Sequence, residues 1–174
     1  MQTESDSLFP LIVTLKLEAP AQQYFDALRE KYFPPDRNFL KAHLTLFHQL
    51  PPQEPIIENT LRELTQRTPL KLGVREVKMI GRGVAFAIES EPLKALHRQL
   101  QNEWAQWLIP QDQQRLWPHI TVQNKVSPAE AKALQQELQQ RFEPFEIEAT
   151  GLVLWEYHQG PWQWVQEFLF EHPS

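Results

Sequence analysis

The chain carries the tripeptide His-x-Thr twice, and each copy combines a proton-transferring group with a phosphate-binding group. The first copy supplies His43 and Thr45, and the second, 76 residues later, supplies His119 and Thr121. Imidazole changes its charge near neutral pH and serves as general acid or base, while a threonine hydroxyl can donate a hydrogen bond to a phosphoryl oxygen. Two such pairs favour acid–base chemistry on a phosphodiester, in which one histidine accepts a proton and the other donates one. This chemistry requires neither a metal ion nor a cofactor.

Both motifs lie in segments with the alternating pattern of a half-buried β-strand. Alternation places the histidine and threonine of each copy on one face and apolar neighbours on the other. The same alternation puts Phe47 on the face of His43, where it either stacks on a base or packs between the lobes. It also puts Lys125 on the face of His119, where it contacts either substrate or solvent. Trp117 is in the same way either a base platform or a packing residue.

Hydrophobic periodicity predicts the order β-α-β-α-β, and the chain contains this order twice. The predicted strands are 9–17, 40–50, 70–80, 84–88, 119–125, 145–155 and 162–170, and the predicted helices are 22–33, 54–68, 93–107 and one from 128. Aligning 8–80 with 84–156 gives twelve identities in 73 positions, where composition alone would give about five. We therefore predict one α+β domain over 1–174, with two pseudo-twofold lobes whose antiparallel sheets flank a central cleft. The repeats are 8–80 and 84–156, and 162–170 is an additional C-terminal strand.

Composition excludes several classes of protein. The 174 residues contain no cysteine, which excludes thiol catalysis and thiolate metal sites and favours a cytoplasmic location. No apolar run is long enough to span a membrane. The net charge of −5 argues against a protein that coats nucleic acid. We expect a monomer that meets its substrate locally, in the cleft.

The sequence resembles the two-histidine (2H) phosphoesterases, which include bacterial 2′-5′ RNA ligase-like proteins and cyclic phosphodiesterases. The resemblance rests on AHLTLF at 42–47, PHITVQ at 118–123 and the spacing of the motifs. It implies that His43 is the proton donor and His119 the proton acceptor, with Thr45 and Thr121 binding phosphate. Pseudo-symmetry alone would allow either order of the two histidines. Many relatives have an arginine shortly after the second motif, and here Lys125 is the nearest basic residue.

The expected substrate is an RNA end or a nucleotide that carries a 2′,3′-cyclic phosphate, which is opened to a 2′-phosphate. A ligase running the reverse reaction would use the same residues, and the sequence does not rank the two directions. One alternative is a non-catalytic RNA- or nucleotide-binding module that uses the same cleft. Another is a phosphodiesterase for a small nucleotide metabolite, and the acidic balance favours such a metabolite or a short oligonucleotide over long RNA.

Overall fold

The structure is a computed structural model, and it describes residues 8–172. Within this range it contains seven β-strands, five α-helices and two short 3-10 turns. The elements are β1 (Leu11–Leu17), α1 (Ala19–Tyr32), β2 (Leu44–Leu50), α2 (Pro55–Leu64), β3 (Leu70–Ile80), β4 (Gly83–Glu89), α3 (Glu91–Glu103), α4 (Pro110–Gln113), β5 (His119–Gln123), α5 (Pro128–Arg141), β6 (Phe145–Tyr157) and β7 (Trp162–Leu169). The α+β class is confirmed.

The helices begin where the sequence contains helix-initiating residues. Each of the five has a proline at its first or second position, where the missing N–H costs no hydrogen bond. The hydroxyl oxygens of Ser90 and Ser127 accept hydrogen bonds from the first turns of α3 and α5. The cap at Ser127 agrees with the expected start of α5. The predicted helices do not include the short helix α4, which Pro110–Gln113 forms.

All strand pairs are antiparallel, and they form one sheet in the order β2-β1-β6-β3-β4-β5, with β7 beside β6. If each strand of the first half is exchanged with the corresponding strand of the second half (β1 with β4, β2 with β5, β3 with β6), the same order is read in the opposite direction. The order therefore has the twofold relation that a duplicated chain produces. The repeat boundaries at 8–80 and 84–156 remain a prediction with which this order is consistent.

The third strand of each half pairs with the first strand of the other half. β6 pairs with β1 and β3 with β4, while β3 and β6 meet each other at the centre. The two lobes therefore share a continuous sheet instead of each closing on its own chain segment. β7 extends this arrangement on one side only, because it pairs with the C-terminal part of β6 and the first half has no equivalent strand.

The sheet curls so that its two end strands, β2 and β5, approach each other. Contacts between the halves hold them there. The Arg29 guanidinium of α1 donates to the carbonyl of Thr121 on β5, at 3.3 Å. From α3, His97 Nε2 donates to the carbonyl of Leu46 on β2, at 3.1 Å. Helices α1 and α3 thus each bond to the motif strand of the opposite half, and these bonds hold the two motifs at the same cleft.

Close backbone packing fixes β5 against β4. A Cβ on Gly83 would lie 1.8 Å from the carbonyl oxygen of Gln123, so only glycine permits this approach. Gly81, at φ +50°, makes the tight turn between β3 and β4. Among the helices of residues 8–172, none is long and apolar enough to cross a membrane.

Candidate active site

The four motif side chains lie on the cleft face of the two end strands. His43, Thr45, His119 and Thr121 are all half-buried. The residues between and beside them, Leu44, Leu46, Ile120 and Val122, are at most 2% exposed. The predicted alternation is therefore confirmed over both motifs. One difference separates the copies: His119 is the first residue of β5, whereas His43 precedes the first residue of β2.

A β-bulge follows the threonine in each motif strand. Between the pairs Thr14–Thr45 and Val13–Phe47, β1 moves by one residue while β2 moves by two. In β5 the pairs Ala85–Thr121 and Val84–Gln123 show the same step. Bulges next to active sites re-aim side chains. Here they turn Phe47 and Gln123, which simple alternation places on the cleft face, into the interior. Simple alternation therefore fails immediately after both motifs.

Two residues predicted to contact substrate do not lie where simple alternation placed them. The prediction that Phe47 contacts substrate is wrong, because its side chain is fully buried. It stacks on His97 and lies edge-on to Trp104, which is the packing role. The alternation that placed Lys125 beside His119 is also wrong, because β5 ends at Gln123 and Lys125 lies in the following turn. Lys125 is exposed there at φ +60°, and a substrate contact from this turn remains a prediction.

The two histidines have the same hydrogen-bonding arrangement. His43 Nδ1 lies 2.7 Å from the carbonyl oxygen of Lys41, and His119 Nδ1 lies 2.8 Å from that of Trp117. A carbonyl can only accept, so Nδ1 carries the proton and donates in both rings. Nε2 of each ring forms no hydrogen bond with any residue from 8 to 172. The second nitrogen is therefore the one available for proton transfer at both positions.

Burial favours the neutral form of both rings in the free protein. Desolvation lowers the pKa of His43 to about 4, an effect that its bond to Lys41 partly opposes. The positive charge of Arg29, and smaller electrostatic contributions from His119 and His48, lower this pKa further. Desolvation likewise lowers the pKa of His119, with a smaller contribution from His48. Burial therefore favours a neutral ring at both positions.

Helix α1 supplies two site residues that periodicity did not reveal. Asp26 accepts the backbone N–H of Ala42 at 2.8 Å and so anchors the segment that carries His43. Arg29, only 5% exposed, binds Asn38 and the carbonyl of Thr121. Its charge lowers the pKa of His43, and its bond to the Thr121 carbonyl joins it to the second motif strand. A cation there favours an anionic substrate.

A tryptophan lies against each histidine ring. Trp117 stacks on His119 with ring centroids 4.3 Å apart, and its side chain is still 44% exposed. Trp162, from β7, lies against His43 with centroids 4.9 Å apart. The sequence had singled out Trp117 but not Trp162, because the tryptophans of the last strand showed no relation to either motif.

Within the described chain, 8–172, no group of three or more histidine, aspartate or glutamate side chains could hold a metal ion. The candidate site combines a twofold-related pair of histidines and pair of threonines with one buried arginine from α1. A family model described as the 2'-5' RNA ligase superfamily matches residues 17–161. The chain belongs to this superfamily. The resemblance to the 2H phosphoesterases is thereby confirmed.

Solved structures show the same fold. TT0787 of Thermus thermophilus is 17% identical, with a TM-score of 0.65, and the match covers 95% of this chain and all of that one. Escherichia coli LigT in complex with 3'-AMP is 18% identical, with a TM-score of 0.61, and the match covers 94% and 99%. The LigT complex with NADP+ matches with a TM-score of 0.58 at 18% identity and covers 95% and 99%. No curated protein matches the chain significantly.

Proposed function

We propose that this member of the 2'-5' RNA ligase superfamily opens 2′,3′-cyclic phosphates at RNA ends or on nucleotides, giving 2′-phosphates. The observation that carries the proposal is the pair of histidines with Nδ1 bonded to a backbone carbonyl and Nε2 left for proton transfer. A site that only binds phosphate has no need of two unprotonated imidazole nitrogens. The reverse reaction, in which a 5′-hydroxyl attacks the cyclic phosphate, would use the same groups.

The reaction proceeds by one displacement at phosphorus. Water attacks the phosphorus atom while His119 Nε2 accepts its proton, and the bond to the 3′-oxygen breaks. His43, protonated at Nε2, donates its proton to that departing oxygen. The hydroxyls of Thr45 and Thr121 donate to the non-bridging oxygens, on which negative charge increases in the transition state. No metal ion and no cofactor takes part.

The substrate itself supplies the protonation state that this route requires. The free protein keeps His43 neutral because burial lowers its pKa to about 4. A bound phosphate diester brings a negative charge into the cleft, which favours the imidazolium and raises the pKa of both histidines. Arg29 has the opposite effect on His43, because it lowers this pKa. The assignment of His43 as donor follows the family pattern. The hydrogen bonds of the two rings are the same and do not distinguish donor from acceptor.

The deciding experiment is turnover of 2′,3′-cyclic nucleotides and of a short RNA ending in a cyclic phosphate, with the 2′- and 3′-phosphate products resolved. We expect the 2′-phosphate alone, at a rate that EDTA leaves unchanged. Loss of all activity with EDTA, or formation of the 3′-phosphate, would contradict the proposal. Tight binding of these substrates without turnover would identify the protein as the non-catalytic binding module.

A further inference from the structure

A tryptophan-lined groove adjoins the cleft on the side of His43. We call it the tryptophan groove: a cavity of about 660 Å³ with His43 at its inner end, Thr14 and Lys16 of β1 among its lining residues, and Trp155, Trp162 and Trp164 of the β6–β7 hairpin along it. Its volume lies within the range of about 300–1,000 Å³ that is usual for small-ligand sites. His119 and both motif threonines are absent from its lining. The groove therefore extends away from the reacting phosphate in one direction.

The proposed chemistry determines which part of a substrate lies at this end. The 3′-oxygen that receives the proton from His43 is an atom of the ribose that carries the cyclic phosphate. This nucleoside must therefore lie on the His43 side of phosphorus, while the attacking water lies on the His119 side. Trp162 contacts the ring of His43 at 4.9 Å between centroids, so the groove begins where that nucleoside leaves the cleft.

The tryptophans form an ordered, partly exposed aromatic wall. Trp155 Nε1 donates to the hydroxyl of Thr14 at 2.9 Å, and its ring lies 6.0 Å from that of Trp162. Trp164 follows two residues after Trp162 on the same face, about 6.6 Å farther along the strand. It remains 52% exposed. Partly exposed indole rings along a groove suit the flat faces of nucleobases, which stack on aromatic side chains regardless of base identity.

The charges in the groove oppose each other and do not form a phosphate track. Lys16 binds Glu167 at 2.7 Å, and Glu18 adds a further negative charge. Lys41 is the groove cation that forms no ion pair with a described residue, and it adjoins His43 through the loop before β2. A long RNA gains most of its affinity from backbone phosphates. This groove instead favours a short segment held by its bases.

We infer that the tryptophan groove binds the two nucleosides next to the cyclic phosphate, with the terminal base at Trp162 and the penultimate base at Trp164. The substrate class is then RNA ends of at least two nucleotides, read by stacking and not by sequence. This inference rests on the proposed function, because it places the ribose by the proton donated from His43.

The test compares kcat/KM for four cyclic phosphates: glycerol 1,2-cyclic phosphate, which has no base, 2′,3′-cyclic AMP, and the di- and triadenylates ending in a 2′,3′-cyclic phosphate. We expect a gain of about 10-fold or more for the first base and again for the second, because each base adds a stacking contact. The third base should add little, since the groove ends there. Trp164→Ala should abolish only the second gain, and Trp164→Phe should retain most of it.

Leu169→Ala is the matched control, because Leu169 is an exposed apolar residue of the same strand that does not line the groove. Equal kcat/KM for all four substrates, or an equal loss on all four in Trp164→Ala, would overturn the inference while leaving the proposed function intact. If the wild type turns over none of them, the proposed function fails. Titration with diadenylate 2′-phosphate, followed by tryptophan fluorescence, then decides separately: quenching that Trp164→Ala weakens supports the groove, and no quenching overturns it.

Discussion

The two halves of this protein match closely at the catalytic groups and differ beside them. Each motif strand places a histidine and a threonine toward the cleft, each histidine bonds a carbonyl two residues earlier, and each strand bulges after the threonine. Beside His43 lies a groove with three tryptophans, whereas His119 is covered by Trp117 alone among the aromatic rings of the described residues. We infer that the twofold relation accounts for the proposed acid–base pair, and the difference between halves for the proposed substrate binding.

The source of the difference is β7. This strand has no counterpart in the first half, and it pairs with β6 next to the strand that carries Thr14 and Lys16. It supplies Trp162 and Trp164, and with them most of the aromatic wall. In the proposed mechanism the pair of histidines becomes directional, because the groove proposed to hold the nucleoside is lined by His43 and not by His119. The experiments below test whether the two halves contribute equally to the proposed chemistry and unequally to substrate binding.

The largest effect should come from removing either histidine. His43→Ala and His119→Ala should each lower kcat by about 10² to 10⁴, because each loses one proton transfer in the transition state. Turnover of 2′,3′-cyclic AMP measures both. The double variant should lose less than the product of the two single losses, because the two groups act in one step.

A modified leaving group separates the two roles. In a cyclic phosphate whose bridging 3′-oxygen is replaced by sulfur, the thiolate leaves without receiving a proton. His43→Ala should then regain most of the wild-type rate, whereas His119→Ala should not. Rescue of His119→Ala in place of His43→Ala would reverse the donor and acceptor assignment, and rescue of neither would contradict acid catalysis at the leaving oxygen.

The threonines should behave alike, as members of the symmetric part of the site. Thr45→Val and Thr121→Val each remove one hydroxyl of nearly the same shape. Since hydrogen bonds to charged groups contribute about 1.5–3 kcal/mol, each variant should lose about 10- to 150-fold in kcat/KM. Thr68→Val, at an exposed position outside the cleft, is the control. A loss confined to one variant would show that only one hydroxyl contacts the phosphate.

Much of this site could be predicted from the sequence, because it depends on local spacing. The period of two placed both histidines and both threonines on one face, and the apolar residues between them in the core. The spacing of the motifs also indicated the duplicated order of strands and helices. These features depend on residues within one strand or on repetition along the chain.

The rest depends on pairing between distant segments. The bulges after Thr45 and Thr121 arise from register with β1 and β4, so a strand considered alone predicted a cleft position for Phe47. Arg29 sits in an ordinary amphipathic helix, and only the packing of α1 on β5 brings it to the site. The pairing of β3 and β6 with strands of the opposite half likewise cannot be predicted from the sequence of any single segment.

The pH dependence should reflect the lowered pKa values of both histidines. In the free protein one ring must be protonated and the other neutral, so kcat/KM should peak between the two pKa values. The pKa of His43 is about 4 and that of His119 lies below 6.5. The maximum should therefore lie below pH 6.5, and kcat/KM should fall at higher pH, where both rings are neutral. A plateau that extends through pH 8 would contradict this pairing.

The pH profile of kcat can be compared with that of kcat/KM for the same enzyme. It reports the enzyme–substrate complex, in which the phosphate anion raises the pKa of both histidines. Its maximum should therefore lie at higher pH than that of kcat/KM. Coincident maxima would show that the bound phosphate does not interact with the rings.

The smallest expected effect comes from the residues that reach across the two halves, Arg29 and His97. Arg29 carries a positive charge that lowers the pKa of His43, whereas His97 is not among the groups that affect this pKa. Arg29→Met should raise the pKa of His43 above its value of about 4, by up to about one unit for a charge in a partly solvated site. A pH titration of the His43 ring by NMR measures the shift.

Two further variants keep this measurement independent of folding. Arg29→Lys retains the charge but not the forked bonds to Asn38 and Thr121, so the pKa of His43 should stay near that of the wild type even if stability falls. His97→Met removes the bond to the Leu46 carbonyl and should lower the free energy of unfolding by about 1–3 kcal/mol, without moving the His43 titration. Equal shifts in Arg29→Met and His97→Met would mean that the cleft geometry, and not the Arg29 charge, controls the pKa of His43. A shift in Arg29→Met alone shows that α1 contributes an electrostatic effect to its neighbouring histidine that α3 does not.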